Sequence, residues 1–340
     1  MRVLVTGGAG YVGSHTVAAL LERGDEVTVL DTLEMGNAAA VGPARLVQGD
    51  IADEPLVERL LGQTGTEAVV HFAAYKRVDE SLRDPGRYFR NNVAGSLALL
   101  RSVTKAGVRR FVFSSSCAVY GSPDGLPVDE AAPLRPENPY GASKAMVEQA
   151  LIWYGRAHDL NSIRLRYFNA AGAAFDGTNG EDWTTSESLV SIVMRVAAGR
   201  KPHLAIFGTD YPTPDGTAIR DYIHVVDLAE AHLAALDHLA AGGASDTLNL
   251  GTGRGASVRE VVEKARAVTG ADVPLRLAER RAGDPPAIWA DASRAEAVLG
   301  WRARFGLSDI LESAWRWHAR HPEGHRSTSA ATSPVSAAGG

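Results

Sequence analysis

A phenol and an ammonium four residues apart, in Tyr140-Gly141-Ala142-Ser143-Lys144, share one face if that segment is helical. Tyrosine, with an ordinary pKa of about 10, is a poor base at neutral pH, and a neighbouring cation favours its ionised form. The pair therefore suits removal of a hydroxyl proton coupled to hydride transfer. The same spacing also describes an ordinary exposed pair on a helix. Upstream, the apolar run 111–113 ends in Ser114-Ser115-Ser116. Those hydroxyls should emerge at the carboxyl edge of a strand, where ligands bind in open α/β sheets. Ser116 could bond a substrate hydroxyl and Tyr140 at once, or be a loop serine satisfying its own backbone.

A second constellation stands at the start of the chain. The run 3–5 leads into Thr6-Gly7-Gly8-Ala9-Gly10-Tyr11-Val12-Gly13, and a helical pattern follows. Glycines at 7, 10 and 13 let backbone N–H groups approach a pyrophosphate, and the helix start adds partial positive charge. Three such glycines alone mark only a tight turn, but strand, turn, helix and a later acid agree here. That acid is Asp31, suited to accept from the adenosine ribose hydroxyls and to repel a 2'-phosphate. With no Arg or Lys from 32 to 41, NAD is favoured over NADP. Asp50 is either an adenine-side contact or a turn cap.

These groups need a scaffold that brings strand ends together. Short β-branched runs at 3–5, 27–30, 46–48, 68–72, 111–113 and 163–166 alternate with helical patterns at 14–23, 55–61, 95–106 and 144–158. Such alternation predicts a Rossmann-type α/β fold, a doubly wound parallel sheet. The helices at 95–106 and 144–158 carry a spare apolar face, which points to a dimer. After Asn169 the chain turns loop-rich at 172–182 and 208–216, with further helices expected at 189–198, 227–239, 258–268 and 307–318. The expected organisation is a dinucleotide-binding domain over 1–168, a smaller α/β substrate lobe over 169–322 and a disordered tail over 323–340.

The 340 residues carry a net charge of -5 and no basic cluster, which argues against nucleic acid as a partner. Apolar runs fall short of a membrane span, and no charged leader precedes Val3, so neither a membrane nor a signal peptide is expected. A single cysteine, Cys117, provides no internal disulfide or metal cluster and fits a reducing, cytoplasmic location.

Longer strings recur beside these motifs: His71-Phe72-Ala73-Ala74, Asn91-Asn92-Val93, Val119-Tyr120-Gly121, Arg166-Tyr167-Phe168-Asn169 and Arg220-Asp221-Tyr222-Ile223-His224-Val225. Together with the glycine turn and the serine run, the series resembles the UDP-galactose 4-epimerases of the extended short-chain dehydrogenase/reductase superfamily, over about residues 1 to 322. The resemblance implies Tyr140 as base, Lys144 lowering its pKa and holding the nicotinamide ribose, and Ser116 bridging to the sugar. It implies NAD contacts from Gly7, Gly10, Tyr11, Val12, Gly13, Asp31, Asp50, Ile51, Phe72, Ala73, Ala74, Lys76, Asn91, Ser114 and Phe168. On the substrate side it implies Lys76, Asn169, Ser188, Leu189, Phe207, Arg220, Arg281, Asp284 and Ile288, the arginines suiting diphosphate oxygens. Without the family, Arg220 and Arg281 would equally be surface ion pairs.

The implied activity is UDP-glucose/UDP-galactose interconversion through a 4-keto sugar, with NAD retained and a homodimer as the working form. A 4,6-dehydratase would carry Asp-Glu where Cys117-Ala118 stand, so elimination lacks its proton carriers. A dehydrogenase that releases its nicotinamide and a non-catalytic NAD-binding module are the remaining rivals. Two departures bear on the substrate. Ser188 stands where many family members have Asn or His, which implies weaker or water-mediated contact to the diphosphate. Ile288 is intermediate between the Tyr that narrows the sugar pocket and smaller residues that admit N-acetylated sugars, which leaves other UDP-sugars as alternatives.

Overall fold

The computed structural model describes residues 1–184, 186–280 and 285–325. In chain order the first layer contains β1 (Arg2–Thr6), α1 (Tyr11–Glu22), β2 (Glu26–Asp31), β3 (Arg45–Gln48), α2 (Glu54–Thr64), β4 (Ala68–His71), α3 (Val78–Arg83), α4 (Pro85–Tyr88), a π-helical stretch (Phe89–Gly95), α5 (Ser96–Lys105), β5 (Arg110–Ser114), α6 (Pro139–His158) and β6 (Asn161–Tyr167). There follow β7 (Asn169–Ala171), α7 (Leu189–Ala197), β8 (Leu204–Phe207), β9 (Ile219–His224), α8 (Val225–Ala240), β10 (Asp246–Leu250), β11 (Gly255–Ser257), α9 (Val258–Thr269), β12 (Leu275–Ala278), β13 (Ala287–Ile288), α10 (Ser293–Leu299) and α11 (Leu307–Arg320).

The main sheet has seven strands in the order β10-β6-β5-β4-β1-β2-β3, every pair parallel. Alternation along these strands decides which helices cover which face. Val3, Val5, Val29, Val70, Val112 and Leu165 point into one core with Val17 of α1 and Leu228, Leu236 and Leu239 of α8. Leu4, Leu30, Val69, Phe111 and Phe113 point into the other, with Leu60 of α2, Leu99 and Val103 of α5 and Val147 and Leu151 of α6. Both faces are covered, which is why the strands read as near-continuous apolar runs. The chain direction across the sheet reverses between β1 and β4, and their carboxyl ends flank the crevice where α/β sheets bind ligands.

The chain crosses back after 169: α8 packs on α1, and β10 joins β6 at the sheet edge. The rest of the second half builds its own core from Val193 and Met194 of α7, Val261 and Val262 of α9 and Ile310 and Leu311 of α11. Around β9, strands β7 and β13 pair in parallel and β11 antiparallel, while β8 and β12 pair separately.

Two expectations need correction. Helix α6 starts at Pro139, five residues before the expected 144, because Asn138 caps it by accepting from the Gly141 N–H and Pro139 sits at a position whose N–H needs no partner. The tail does not begin at 323: Glu323 pairs with Arg200 at 3.1 Å, and His325 is buried against Trp317, with its Nε2 3.2 Å from the Gly180 carbonyl. Aromatic packing holds those residues, and 326–340 fall outside the described residues.

Six histidines, His15, His71, His224, His232, His318 and His325, are buried, and burial lowers the pKa of each. Burial pushes His15, His224 and His232 down to about 4 and His71 and His318 down to about 3. An unfolded chain titrates them near 6.5, so between about pH 6.5 and 4 it binds more protons than the folded chain, and acid favours unfolding. Their stabilising contribution is complete above about pH 6.5 and is lost as the pH falls towards 4. The loss is on the order of several kcal/mol, a large share of a typical folding free energy. Thermal melts should therefore show a steep fall in Tm from pH 6.5 to 4.5, and a flat Tm across that range would contradict the assignment of neutral histidines.

Candidate active site

The glycine turn fits a pyrophosphate for steric reasons visible in the backbone. Gly7 has φ +72°, and a Cβ there would lie 2.5 Å from the Ala73 nitrogen. A Cβ on Gly13 would lie 2.3 Å from the Gly7 carbonyl oxygen. Only hydrogen allows strand end, turn and helix to close this tightly. Gly10 caps α1 with no side-chain acceptor, which leaves the first helical N–H groups directed at an incoming anion. Asp31, at the end of β2, accepts from the Ala9 N–H at 3.0 Å and the Leu33 N–H at 2.9 Å, so one carboxylate joins the turn to the loop after β2. Asp50 spends one oxygen on the Ala52 N–H at 2.8 Å, and Ile51 beside it is buried against Gly95.

One cation near the loop after β2 was invisible to local sequence reading. Arg87, carried by α4, reaches Glu34 at 2.5 Å, stacks on the Tyr75 ring and also pairs with Glu80. Its charge is neutralised by two carboxylates, so it does not overturn the preference for a cofactor lacking the 2'-phosphate.

The chemistry gathers where α6 crosses the carboxyl end of β5. Tyr140 lies in the first turn of α6, with Lys144 one turn further along the same face. Lys144 is 4 % exposed, donates to the Ser114 carbonyl at 2.8 Å and lies 6.0 Å from the centre of the Tyr140 ring. The Ser116 hydroxyl acts on the Tyr140 phenol so as to favour its ionised form, and it accepts from the Ala118 N–H at 3.2 Å. Its relay position and its loop-capping role thus coexist. Burial raises the Tyr140 phenol well above its usual range, and the Ser116 hydrogen bond opposes this. Burial also pushes Lys144 down to about 7, against the upward pull of Glu148.

Around this centre the structure gathers several other expected residues. Phe168 is buried with Val119, Tyr120 and Ile288, and Cys117 packs against the same cluster. Ile288 pairs with Arg220 in the β13–β9 register, and Arg220 acts electrostatically on Cys117. Phe72 and Ala73 bond the Thr6 carbonyl through their N–H groups at 2.8 and 3.1 Å, so the loop holding Ala74 runs beside the glycine turn. Asn91 donates to Asn92, which in turn clamps both backbone groups of Tyr75 and the Ser143 hydroxyl. The π-helical stretch thereby fixes α6 against the loop after β4.

The loop 172–182 closes over the start of α1. Tyr11 donates to the Gly172 carbonyl at 2.7 Å, Asn179 to Ser14 at 3.0 Å, and Lys76 pairs with Glu181 at 3.7 Å while lying over the Tyr11 ring. Ser188 caps α7 and gives its hydroxyl to Glu181 at 2.6 Å, so the residue expected to face a diphosphate is committed to an internal carboxylate. Leu189 opens α7, Asn169 opens β7 as an exposed residue, and Phe207 ends β8 opposite Ala278. Arg281 and Asp284 lie outside the described residues. Among the described residues, no group of three or more His, Cys, Asp and Glu could hold a metal ion, and no helix is long and apolar enough to cross a membrane.

The family model for the NAD dependent epimerase/dehydratase family matches residues 3–251. The chain belongs to that family. A UDP-glucose 4-epimerase of Azospirillum brasilense is 50% identical over 318 residues, covering 93% of this chain and 91% of that protein. The crystal structure of a Brucella ovis UDP-glucose 4-epimerase in complex with NAD has a TM-score of 0.90 and 44% identity, covering 92% and 97%. That of Bifidobacterium longum UDP-glucose 4-epimerase, with NAD+ and UDP, has a TM-score of 0.90 and 39% identity, covering 95% and 100%.

Sequence reasoning passed over Glu148 and Glu181. Glu148 could have been found as the third member of a four-residue spacing, Tyr140, Lys144, Glu148, inside an otherwise apolar helix face. Glu181 had no such signal, since its pairing with Lys76 spans more than a hundred residues.

Gly13→Ala tests the cradle. The added methyl must displace the Gly7 carbonyl, and dinucleotide affinity should fall by at least tenfold in equilibrium titration while far-UV circular dichroism stays unchanged. Undiminished affinity would remove this turn from the cofactor site.

Proposed function

We propose that this chain is an NAD-dependent UDP-hexose 4-epimerase that interconverts UDP-glucose and UDP-galactose. The observation that carries the proposal is the Tyr140-Lys144 stripe set against Ser114 and Ser116 at the sheet edge, together with a tight glycine turn at the start of α1 whose free N–H groups suit a pyrophosphate. Gly7, Gly10 and Gly13, with the α1 start, Val12 and Tyr11, would hold the pyrophosphate of NAD. Asp31 would take its adenosine ribose, and Asp50 and Ile51 the adenine side. Phe72, Ala73, Ala74, Lys76, Asn91, Ser114, Lys144 and Phe168 would line the nicotinamide half. The chemistry NAD supplies when bound is reversible acceptance of the C4 hydride, which leaves it unchanged at each turnover.

Tyr140 takes the 4-hydroxyl proton as the sugar is oxidised and returns it when the 4-keto sugar, turned in its pocket, is reduced on its other face. Ser116 spans the sugar hydroxyl and the phenol during both transfers. Burial alone would leave the phenol protonated and Lys144 only part charged near pH 7. A phenolate therefore forms only when further positive charge stands near the phenol, which confines base strength to the loaded enzyme. Asn169, Leu189, Phe207, Arg220, Arg281 and Asp284 would grip UDP, while Ile288 bounds the sugar. Dehydration is disfavoured by Cys117, whose thiol burial pushes up to about 12 and which cannot replace a carboxylic acid as proton carrier. A second copy is the expected protein partner, with Met146 and Trp153 exposed on α6 as its contact; a single-chain mass by sedimentation would set this aside.

Purified protein with UDP-galactose and no added NAD should yield UDP-glucose, and absence of product with the cofactor confirmed in place would defeat the proposal. Tyr140→Phe should lower the rate by about a thousandfold or more while dinucleotide binding persists. Ile288→Tyr should selectively lower turnover of UDP-N-acetylglucosamine. An equal loss for both substrates would show that this residue does not set pocket size.

A further inference from the structure

On α6, Tyr140, Lys144 and Glu148 recur every fourth residue and form one stripe along the helix. Each member meets a different serine of the run that ends β5. Lys144 donates to the Ser114 carbonyl, Ser115 donates its hydroxyl to Glu148 Oε1 at 2.5 Å, and Ser116 favours ionisation of the Tyr140 phenol. Glu148 is 3 % exposed and is gripped from the other side by Arg166 of β6. The contact is two-pronged, with Nε 2.9 Å from Oε1 and Nη2 2.6 Å from Oε2. The remaining nitrogen, Nη1, donates to the Tyr120 hydroxyl at 2.9 Å. That hydroxyl donates to Asn249 of β10 at 2.7 Å, and Asn249 donates to the Val128 carbonyl.

An apolar contact between helix and sheet would avoid the cost of desolvating two charges, and buried ion pairs are frequently no more stabilising than well-packed apolar replacements. What a forked pair supplies instead is direction. Glu148 is fixed by β5 and β6 simultaneously, so α6 can neither rotate about its axis nor slide along it without breaking three hydrogen bonds. Such a slip would carry Lys144 away from Ser114 and Tyr140 away from Ser116. Hydroxyl-to-base distance is the variable to which proton and hydride transfer are most sensitive.

We propose that Glu148, clamped by Arg166 and Ser115, is a positioning residue for the epimerisation, holding Lys144 and Tyr140 in register with the serine run and placing a carboxylate one helical turn from the Lys144 ammonium. The proposal rests on the epimerase reading given above. The groups facing this stripe are His71 of β4, Cys117 after β5, Arg164, Arg166 and Tyr167 of β6 and Tyr88 of α4. Of these, Cys117 and Tyr167 are held protonated and His71 neutral by burial, so Glu148 is the carboxylate that supports the ammonium.

Glu148→Gln keeps the shape and removes the charge. In the full-length protein it should lower kcat roughly 10- to 100-fold with KM for the UDP-sugar within about twofold, the signature of misplacement rather than lost binding. The alkaline limb of the kcat profile should move to lower pH. In carbon-13 spectra of methyl-free, lysine-labelled protein, the Lys144 signal, assigned by its absence in Lys144→Met, should titrate at lower pH than in the unsubstituted chain. Ser115→Ala leaves the ion pair intact and should shift both readings in the same direction by a smaller amount, which decides the matter if Glu148→Gln does not fold. Unaltered kcat and an unaltered Lys144 titration in the folded variants, whatever their Tm, would overturn the proposal. An unsubstituted protein that converts no UDP-sugar would instead remove the epimerase reading, and the Lys144 titration would still show whether Glu148 governs its charge.

Discussion

Lys144 meets the Ser114 carbonyl because α6 lies across the ends of β5 and β6 in one register, and nearly every feature of the site follows from that crossing. Asn138 and Pro139 start the helix early enough to put Tyr140 in its first turn, beside Ser116. Asn92 holds the near end of the helix through Ser143, and the Glu148-Arg166 pair holds its middle. Beside these anchors the helix contributes Val147 and Leu151 to the sheet core, so its polar stripe and its packing face are both satisfied. Had the helix been held only by apolar contacts, small slips would cost little, and the distances that set proton transfer would be poorly defined.

The second lobe is tied to this platform by few but well-aimed contacts. Tyr11, Ser14 and Lys76 each bond a residue of the loop 172–182 from the cofactor half of the chain. Glu181 is the hinge of that arrangement, since it also takes the Ser188 hydroxyl at the start of α7. A ligand spanning both halves would meet groups whose positions already depend on one another. Preorganisation of this kind limits the ordering that binding must otherwise impose.

Much of the first half was legible because its signals are local. Strand, glycine turn, helix and Asp31 occur within thirty residues, and the alternation of β-branched runs with helical patterns leaves little choice of architecture. Even there, the start of α6 was missed: the apolar periodicity begins at Lys144, whereas the helix is set by a cap, a proline and polar residues before it. Arg87 near Glu34 and Glu181 near Lys76 were illegible for a different reason. Each is a pairing across separate elements, and no spacing rule predicts which surface cation will find which distant carboxylate. The early end assigned to the globular part failed because Trp317 stacks on His321 and lies against His325, partners that an amphipathic pattern alone does not reveal.

The residues proposed to set substrate choice belong to the less legible half, and the topology explains why. The residues proposed to bound the sugar come from separate elements: Phe168 after β6, Cys117 after β5, Arg220 of β9 and Ile288 of β13. None of these is near another in sequence. Ile288 sits on a two-residue strand that pairs with β9, next to the bridge from Ala290 to Val128, and packs with Val119, Tyr120 and Phe168. A short parallel pairing is easily altered by substitutions in the loops that feed it, without disturbing the seven-stranded sheet or the stripe on α6. The catalytic half therefore tolerates little change in geometry, whereas that boundary can be reshaped one residue at a time. A single scaffold can in this way keep its redox chemistry while the sugar it admits changes.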